Sequence, residues 1–217
     1  MPWHARTPAE IHQYGYITRT SQEAYDNCVE AYNLLGSLGW TLNAVCGMLG
    51  NAEGEGAYNP WSWQNEIALA STDPQIDTSL DHGYGLTGFT PSGKYIHYPA
   101  SMSSPYYAPY FSDIPQQARP EDGAAQLLRI NVGDTEVYIV REPMTFAEYI
   151  SSTDTVDNLT YIWMRNHENP ASFDSLPQRR EAANYWYNVL QGLPPPTPPT
   201  PTGTSKMPLW FYLKKIF

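Results

Sequence analysis

The sequence predicts an α+β domain that is mostly α-helical, with long loops and a short β element. Three observations predict it. Apolar residues recur at helical spacing in several capped segments. One stretch, Glu136–Arg141 (EVYIVR), has strand composition. The intervening residues 57–123 are rich in Pro, Gly, Ser and Tyr and follow neither period.

Thr20 and Glu23 have the spacing of a capping box, and Ala24, Cys28, Ala31, Tyr32 and Leu35 follow at helical spacing until Gly36 stops the run. Thr41 is a second N-cap, with Trp40 placed to staple onto Val45. Leu42, Val45, Cys46, Leu49 and Ala52 form one apolar stripe, ended by Gly54 and Gly56. These two helices predict an antiparallel hairpin, across which Cys28 and Cys46 could face each other as a disulfide or as buried thiols. Tyr84–Phe89 reads as a short extended piece, and Ala124–Asn131 fits helix or strand. Phe146–Ser151 and the Val156, Leu159, Trp163, His167 series predict two further helices. Ser175-Leu-Pro-Gln178 is a capping box opening a last helix through Arg179, Ala183, Trp186 and Leu190 to Gly192. The body thus covers 1–193, and 194–217 is a tail. Its Pro194–Pro201 run (PPPTPPTP) is a polyproline II spacer reaching roughly 25 Å. The basic and aromatic end, SKMPLWFYLKKIF, is either an anchor for another protein or membrane surface, or an unstructured end.

Composition excludes several functions. The net charge is −10, and before residue 193 nine basic residues stand against all 22 acidic ones. Nucleic-acid binding needs clustered cations, so no such partner is expected. Two cysteines, five scattered histidines and no CxxC or HExxH argue against a metal site, and no cofactor is implied. No apolar run approaches the roughly 20 residues of a membrane span, and the first residues lack a secretory signal pattern.

The chemistry centres on Gly47–Pro60 (GMLGNAEGEGAYNP), where Glu53 and Glu55 stand among glycines at a helix C-terminus. That end of the helix dipole repels anions, and Glu53 follows Leu49 at i+4 toward the buried side. A carboxyl so placed keeps its proton to higher pH, which is what a group protonating a leaving oxygen needs.

Glu55–Pro60 (EGAYNP) resembles the ES-x-x-NP stretch of lysozyme-superfamily enzymes. The wider segment from Gly47, Gly83–Ile96 (GYGLTGFTPSGKYI), Thr145–Thr153 (TFAEYISST) and His167–Leu190 (HENPASFDSLPQRREAANYWYNVL) together resemble the phage tail lysozyme family, in order, over roughly residues 20–192. The resemblance implies a lysozyme-like fold with cleft-lining loops, and a peptidoglycan-cleaving glycosidase. Glu55 would then be the general acid. Glu53, Tyr58, Asn59, Trp61, Trp63, Tyr84, Thr87 and Phe89 would contact substrate. Two-carboxylate hydrolysis needs a partner acid about 5 Å away in a retaining enzyme, or further in an inverting one. Asp81 and Asp73 are the candidates, with Asp77 and Glu53 as further options. Without a partner, one Glu can still serve a lytic transglycosylase. This chain has Gly56 where the family's Ser follows the Glu, and Gly88 and Phe89 where many relatives carry Gln and Trp. The resemblance further implies bacterial peptidoglycan as substrate and a virion-associated (phage tail) or prophage protein delivered to the host envelope, with other tail proteins met through the C-terminal tail.

Two other classes are open to the same residues. One is a cysteine peptidase with Cys46 as nucleophile and His82 or His97 as base, disfavoured because Cys46 falls in mid-helix. The other is a non-catalytic tail component that keeps a lysozyme-like shape.

Overall fold

The computed structural model of the chain describes residues 3–62, 83–90, 95, 123–135 and 137–197. Its helices, in chain order, are α1 (Pro8–Tyr14), α2 (Gln22–Ser37), α3 (Leu42–Gly56), α4 (Gly123–Asn131), α5 (Phe146–Ser151), α6 (Val156–Trp163), continued by a π-helical turn (Met164–Glu168), and α7 (Leu176–Leu190). Among the described residues, β pairing is limited to one antiparallel bridge, Tyr84 to Phe89. No helix among them is long and apolar enough to cross a membrane.

The helical architecture follows the sequence expectations, with four physical differences. First, α1 is an added helix. Thr7 and Glu10 close a capping box, Glu10 N–H donating to Thr7 Oγ1 (3.3 Å) and Thr7 N–H to the Glu10 carboxylate (2.8 Å). Second, Ser21 rather than Thr20 caps α2, accepting from Ala24 N–H at 3.1 Å. Glu23 is thereby one position short of closing a box and pairs with Arg6 instead.

Third, α3 is buried all round rather than along one stripe. Every residue from Ala44 to Ala52 is buried, the pattern of a helix at the centre of a domain. Its partners are chiefly α7 and α6, with α2 and α5 completing the enclosure. Glycine permits the approach. A Cβ at Gly50 would stand 2.6 Å from the Ala183 Cβ of α7, and one at Gly47 would stand 2.9 Å from the Leu159 backbone of α6. Cys28 and Cys46 are neighbours in this core and both are free thiols.

Fourth, residues 137–141 form no strand among the described residues. The ladder that β composition would supply is replaced by one buried side chain. Asn166 Oδ1 accepts the Arg141 and Glu142 N–H groups at 2.8 and 2.7 Å, and its Nδ2 donates to Tyr138 Oη at 2.9 Å. The Asn166 carbonyl accepts Ile139 N–H at 2.8 Å. Beside it an aromatic cluster of Trp40, Tyr138, Phe146, Tyr149 and Trp163 fills the space between α3, α5 and α6, Tyr149 and Trp163 having ring centroids 5.2 Å apart. The ambiguous segment at 124–131 is helix, and its Gln126 bonds Pro60 O and Leu86 N. The proline segment begins by folding back, since a Cβ at Gly36 would stand 2.9 Å from the Pro196 Cβ. The rest of that run, 198–201, and the basic-aromatic end lie outside the described residues.

Replacing Asn166 by Ala should cost roughly 2 to 4 kcal/mol, because two part-buried backbone N–H groups lose their acceptor and a cavity opens. Urea denaturation of the purified variant checks this; a loss under about 1 kcal/mol would show that water replaces the amide.

Candidate active site

The two acids at the end of α3 diverge, as residues two apart on a helix must. Their surroundings differ in kind. Glu53 belongs to a latch that ties three parts of the chain together. Its carboxylate accepts from Arg19 Nε (2.9 Å) and Nη2 (3.0 Å) and from Tyr58 Oη (3.0 Å). Tyr58 Oη accepts in turn from Trp186 Nε1 of α7 at 2.8 Å, and Arg19 Nη1 reaches Glu181 at 3.0 Å. Glu53 therefore sits on an arginine, not against the apolar packing that its spacing from Leu49 suggests.

Glu55 points to the start of α7. Its Oε1 accepts from Arg179 Nη2 at 2.5 Å, and its side chain remains about a quarter exposed. The expectation of an acid in purely apolar surroundings is thus corrected: the group facing Glu55 is a guanidinium. Arg179 is itself only 7% exposed, and all three nitrogens of its fork donate. Nε donates to Ser175 Oγ at 3.1 Å. Nη1 donates to Asn51 Oδ1 at 3.0 Å and to Glu168 Oε2 at 2.5 Å. Asn51 is fixed by donating to Gly47 O and Thr160 O at 2.8 and 3.0 Å. Ser175, expected to close a capping box with Gln178, makes no side-chain cap bond and serves Arg179 instead. Gly54 gives the guanidinium room, since a Cβ there would lie 3.0 Å from Arg179 Cζ.

Glu168, at the end of the π-helical turn, is the site residue that the sequence reading did not single out. Its side chain is 6% exposed. One oxygen takes the Arg179 bond, while Oε1 is buried without a hydrogen-bond partner among the described residues. Burial first, and then the neighbouring Glu55 carboxylate, push the Glu168 carboxyl well above the usual range. Arg179 pulls the other way, but its single charge is divided between two carboxylates. Burial also opposes the Arg179 charge, and those carboxylates outweigh it, so its own pKa stands above the ordinary arginine value.

A tight turn of the second motif closes over this cluster. Tyr84 and Phe89 bridge through paired backbone bonds of 3.1 and 2.8 Å, and Gly85 N–H donates to Ser62 O at 2.8 Å. Gly88 has a left-handed backbone (φ +62), and a Cβ there would stand 3.2 Å from Glu55 Cδ. Glycine is therefore required twice over at this position.

The other expected site residues divide by burial. Tyr58, Asn59, Tyr84, Thr87 and Phe89 are at most 1% exposed and offer a sugar no ring face in this conformation. Tyr58 belongs to the Glu53 latch. Asn59 fastens the N-terminal segment, accepting from Arg6 N–H and donating to Arg6 O, both at 2.9 Å. Tyr84 and Phe89 stack on Tyr95 at 6.1 and 5.3 Å. Trp61 is half-buried against the core. Trp63, Asp73, Asp77, Asp81 and His82 lie outside the described residues, as does His97. Cys46 is fully buried and burial pushes its thiol far up, so it does not supply the thiolate that a peptidase nucleophile requires.

Removing the guanidinium by Arg179→Ala should cost about 3 to 5 kcal/mol, the usual effect of leaving a buried charge unpaired. In the intact protein, a carboxyl whose pKa is raised on folding contributes stability that is complete below its unfolded value, about 4.3, and is lost as pH rises through the folded value. Stability measured in urea from pH 4 to 8 should therefore carry a downward slope that Glu168→Gln removes.

Comparison with known proteins supplies a context for this cluster. The sequence model of the phage tail lysozyme family matches residues 26–190, which include Glu55, Glu168 and Arg179. Morphogenesis protein 1 of Bacillus phage B103 is 34% identical over 162 residues. The match covers 74% of this chain and 38% of that protein, so this chain spans well under half the length of that relative. The family match covers most of the chain and every segment of the arginine-centred cluster: the chain belongs to the phage tail lysozyme family.

Proposed function

We propose that this chain is a peptidoglycan-degrading glycosidase of muramidase type, in which Glu55 protonates the leaving oxygen of the glycan strand. The observation that carries the reading is the position of Glu55. It is the more open carboxyl of a pair whose other member, Glu168, is buried and whose shared guanidinium is immobilised on every side. A general acid needs a fixed carboxyl with access to substrate and surroundings that favour a retained proton. Glu55 has the access, and the crowding of two carboxyls on one arginine favours a proton within the pair.

The second carboxylate of a hydrolase would come from Asp81 or, less directly, Asp73, both on the segment joining α3 to the second-motif turn. Glu53 is a poor candidate because Arg19 and Tyr58 already hold it on another face. A lytic transglycosylase using the same Glu55 is the second reading. The sugar's own 6-hydroxyl would then replace water, and no second carboxylate is needed. Trp61 and Trp63 remain the aromatic contacts proposed for the sugar. The phage relative named as a morphogenesis protein supports a virion-associated role at the host envelope, with the proline segment as a tether to other tail proteins.

Glu55→Gln should lower clearing of purified cell walls by about 10² to 10⁴-fold, the usual contribution of a general acid, without unfolding the protein. Clearing retained by the variant would remove Glu55 from this role, and no clearing by either protein would favour a structural tail component. Mass spectrometry of the released fragments separates the two chemistries, since a transglycosylase leaves anhydro-sugar ends and a hydrolase leaves reducing ends.

A further inference from the structure

We infer that Glu55 and Glu168 share a single proton near neutral pH, and that Glu168 is the positioning residue that keeps this proton beside the reacting carboxyl. The inference rests on the proposed role of Glu55 and extends it to a residue with no access to substrate. Three observations carry it. Glu55 Oε1 and Glu168 Oε2 each lie 2.5 Å from a different terminal nitrogen of the same guanidinium, so the two carboxyls are neighbours. The Glu55 carboxylate stands close enough to push the Glu168 carboxyl up. Glu168 Oε1, buried in a side chain only 6% exposed, meets no donor. Two carboxylates around one buried arginine would leave a net negative charge, and a buried acceptor beside a carboxylate is costly. One proton between them removes both defects. It makes the cluster neutral and turns the orphaned oxygen into a donor toward Glu55.

Among the described residues, the titratable groups that face Glu168 are few. Glu55 comes from α3, Arg179 from α7 and Tyr149 from α5, whose hydroxyl is itself engaged with Ala44 O at 3.0 Å. His167 precedes it, with its ring nitrogens against the Val137 and Thr87 carbonyls at 2.6 and 3.2 Å. None of these replaces Arg179 as a counter-charge or Glu55 as a proton acceptor.

The proton balance closes without any further reactant. The glycosidic C–O bond breaks as its oxygen takes the shared proton through Glu55. Both carboxylates are then anionic and both are held by Arg179. The attacking hydroxyl, from water or from the sugar, forms the new C–O bond and returns its proton to the pair.

The test is the pH profile of wall cleavage by Glu168→Gln, an uncharged side chain of the same shape. With the shared proton gone, Arg179 remains beside Glu55, and the alkaline limb of kcat/KM moves to lower pH. Cleavage falls about 10 to 100-fold at pH 7.5 and stays within about threefold of the parent at pH 5. A profile unchanged in shape, or lowered equally at every pH as for a merely structural defect, overturns the inference. Should the variant fail to fold, infrared spectra of the intact chain with labelled glutamate decide instead. A protonated-carboxyl band persisting at pH 7 supports the shared proton, and its absence overturns it. If the intact chain cleaves no wall, the glycosidase reading fails, while the infrared measurement still decides the proton.

Discussion

The buried guanidinium of Arg179 is the contact on which the rest of this architecture depends. It bonds Asn51 of the central helix, Glu168 of the π-helical turn and Ser175 at the start of its own helix, and its Nη2 donates to Glu55. Three segments distant in sequence therefore meet at one charge. Arginine suits the task because its planar fork gives several fixed donor directions and does not lose its proton. A lysine could neutralise one carboxylate but could not hold four acceptors in one plane. The constraint also runs outward. Asn51 must be fixed by Gly47 O and Thr160 O, and the last turn of α3 must be thin enough to admit the side chain over Gly54.

The glycines of this neighbourhood are spacers more than hinges. Glu53 and Glu55 stand among Gly50, Gly54 and Gly56, which suggests loose ground when read as sequence. In the fold, Gly50 lets α7 pack close, Gly54 receives the Arg179 guanidinium and Gly56 faces the backbone at Gly85. Gly88 does the same from the opposite side, leaving space for the Glu55 carboxylate. A side chain in place of this glycine would meet the Glu55 carboxylate. Rigidity at Glu55 comes from close packing around it, which is what a positioned carboxyl needs.

Much of the fold was legible because its signals are local. Thr41 caps α3, Thr145 caps α5, and apolar spacing locates α2, α6 and α7. What was not legible is non-local. The strand expected at Glu136–Arg141 has the right composition, but Asn166, some 25 residues on, takes over its backbone bonds. The all-round burial of α3 depends on neighbours that a single stripe cannot announce. Capping at Ser21 rather than Thr20 turns on a one-residue competition, settled in part by Arg6 claiming Glu23. Aromatic residues near Glu55 suggested sugar platforms, yet Tyr58, Tyr84 and Phe89 went to the core, where most large rings go.

The candidate site was half legible, and the missing half follows from the same rule. An acid at a helix C-terminus opposes the dipole and so calls for an explanation. That rule drew attention to Glu53 and Glu55, and it applies equally to Glu168, which ends a helical run just before Asn169 turns left-handed. The three acids then answer to different partners. Glu53 meets Arg19, which also reaches the exposed Glu181, and a tyrosine hydroxyl, and it has a place in a latch. Glu55 and Glu168 divide one arginine, and only one of them reaches solvent. Arg19 also bonds two carboxylates, but its second partner, Glu181, is largely exposed, whereas Glu168 is buried. Leaving two carboxyls on one guanidinium, with an oxygen unsatisfied, raises the energy of the doubly ionised state at the one place where the proposed chemistry calls for a retained proton. The contrast between the two arginines of this helix end, one shared with an exposed acid and one with a buried acid, is therefore a physical criterion for separating the structural acid from the reactive one.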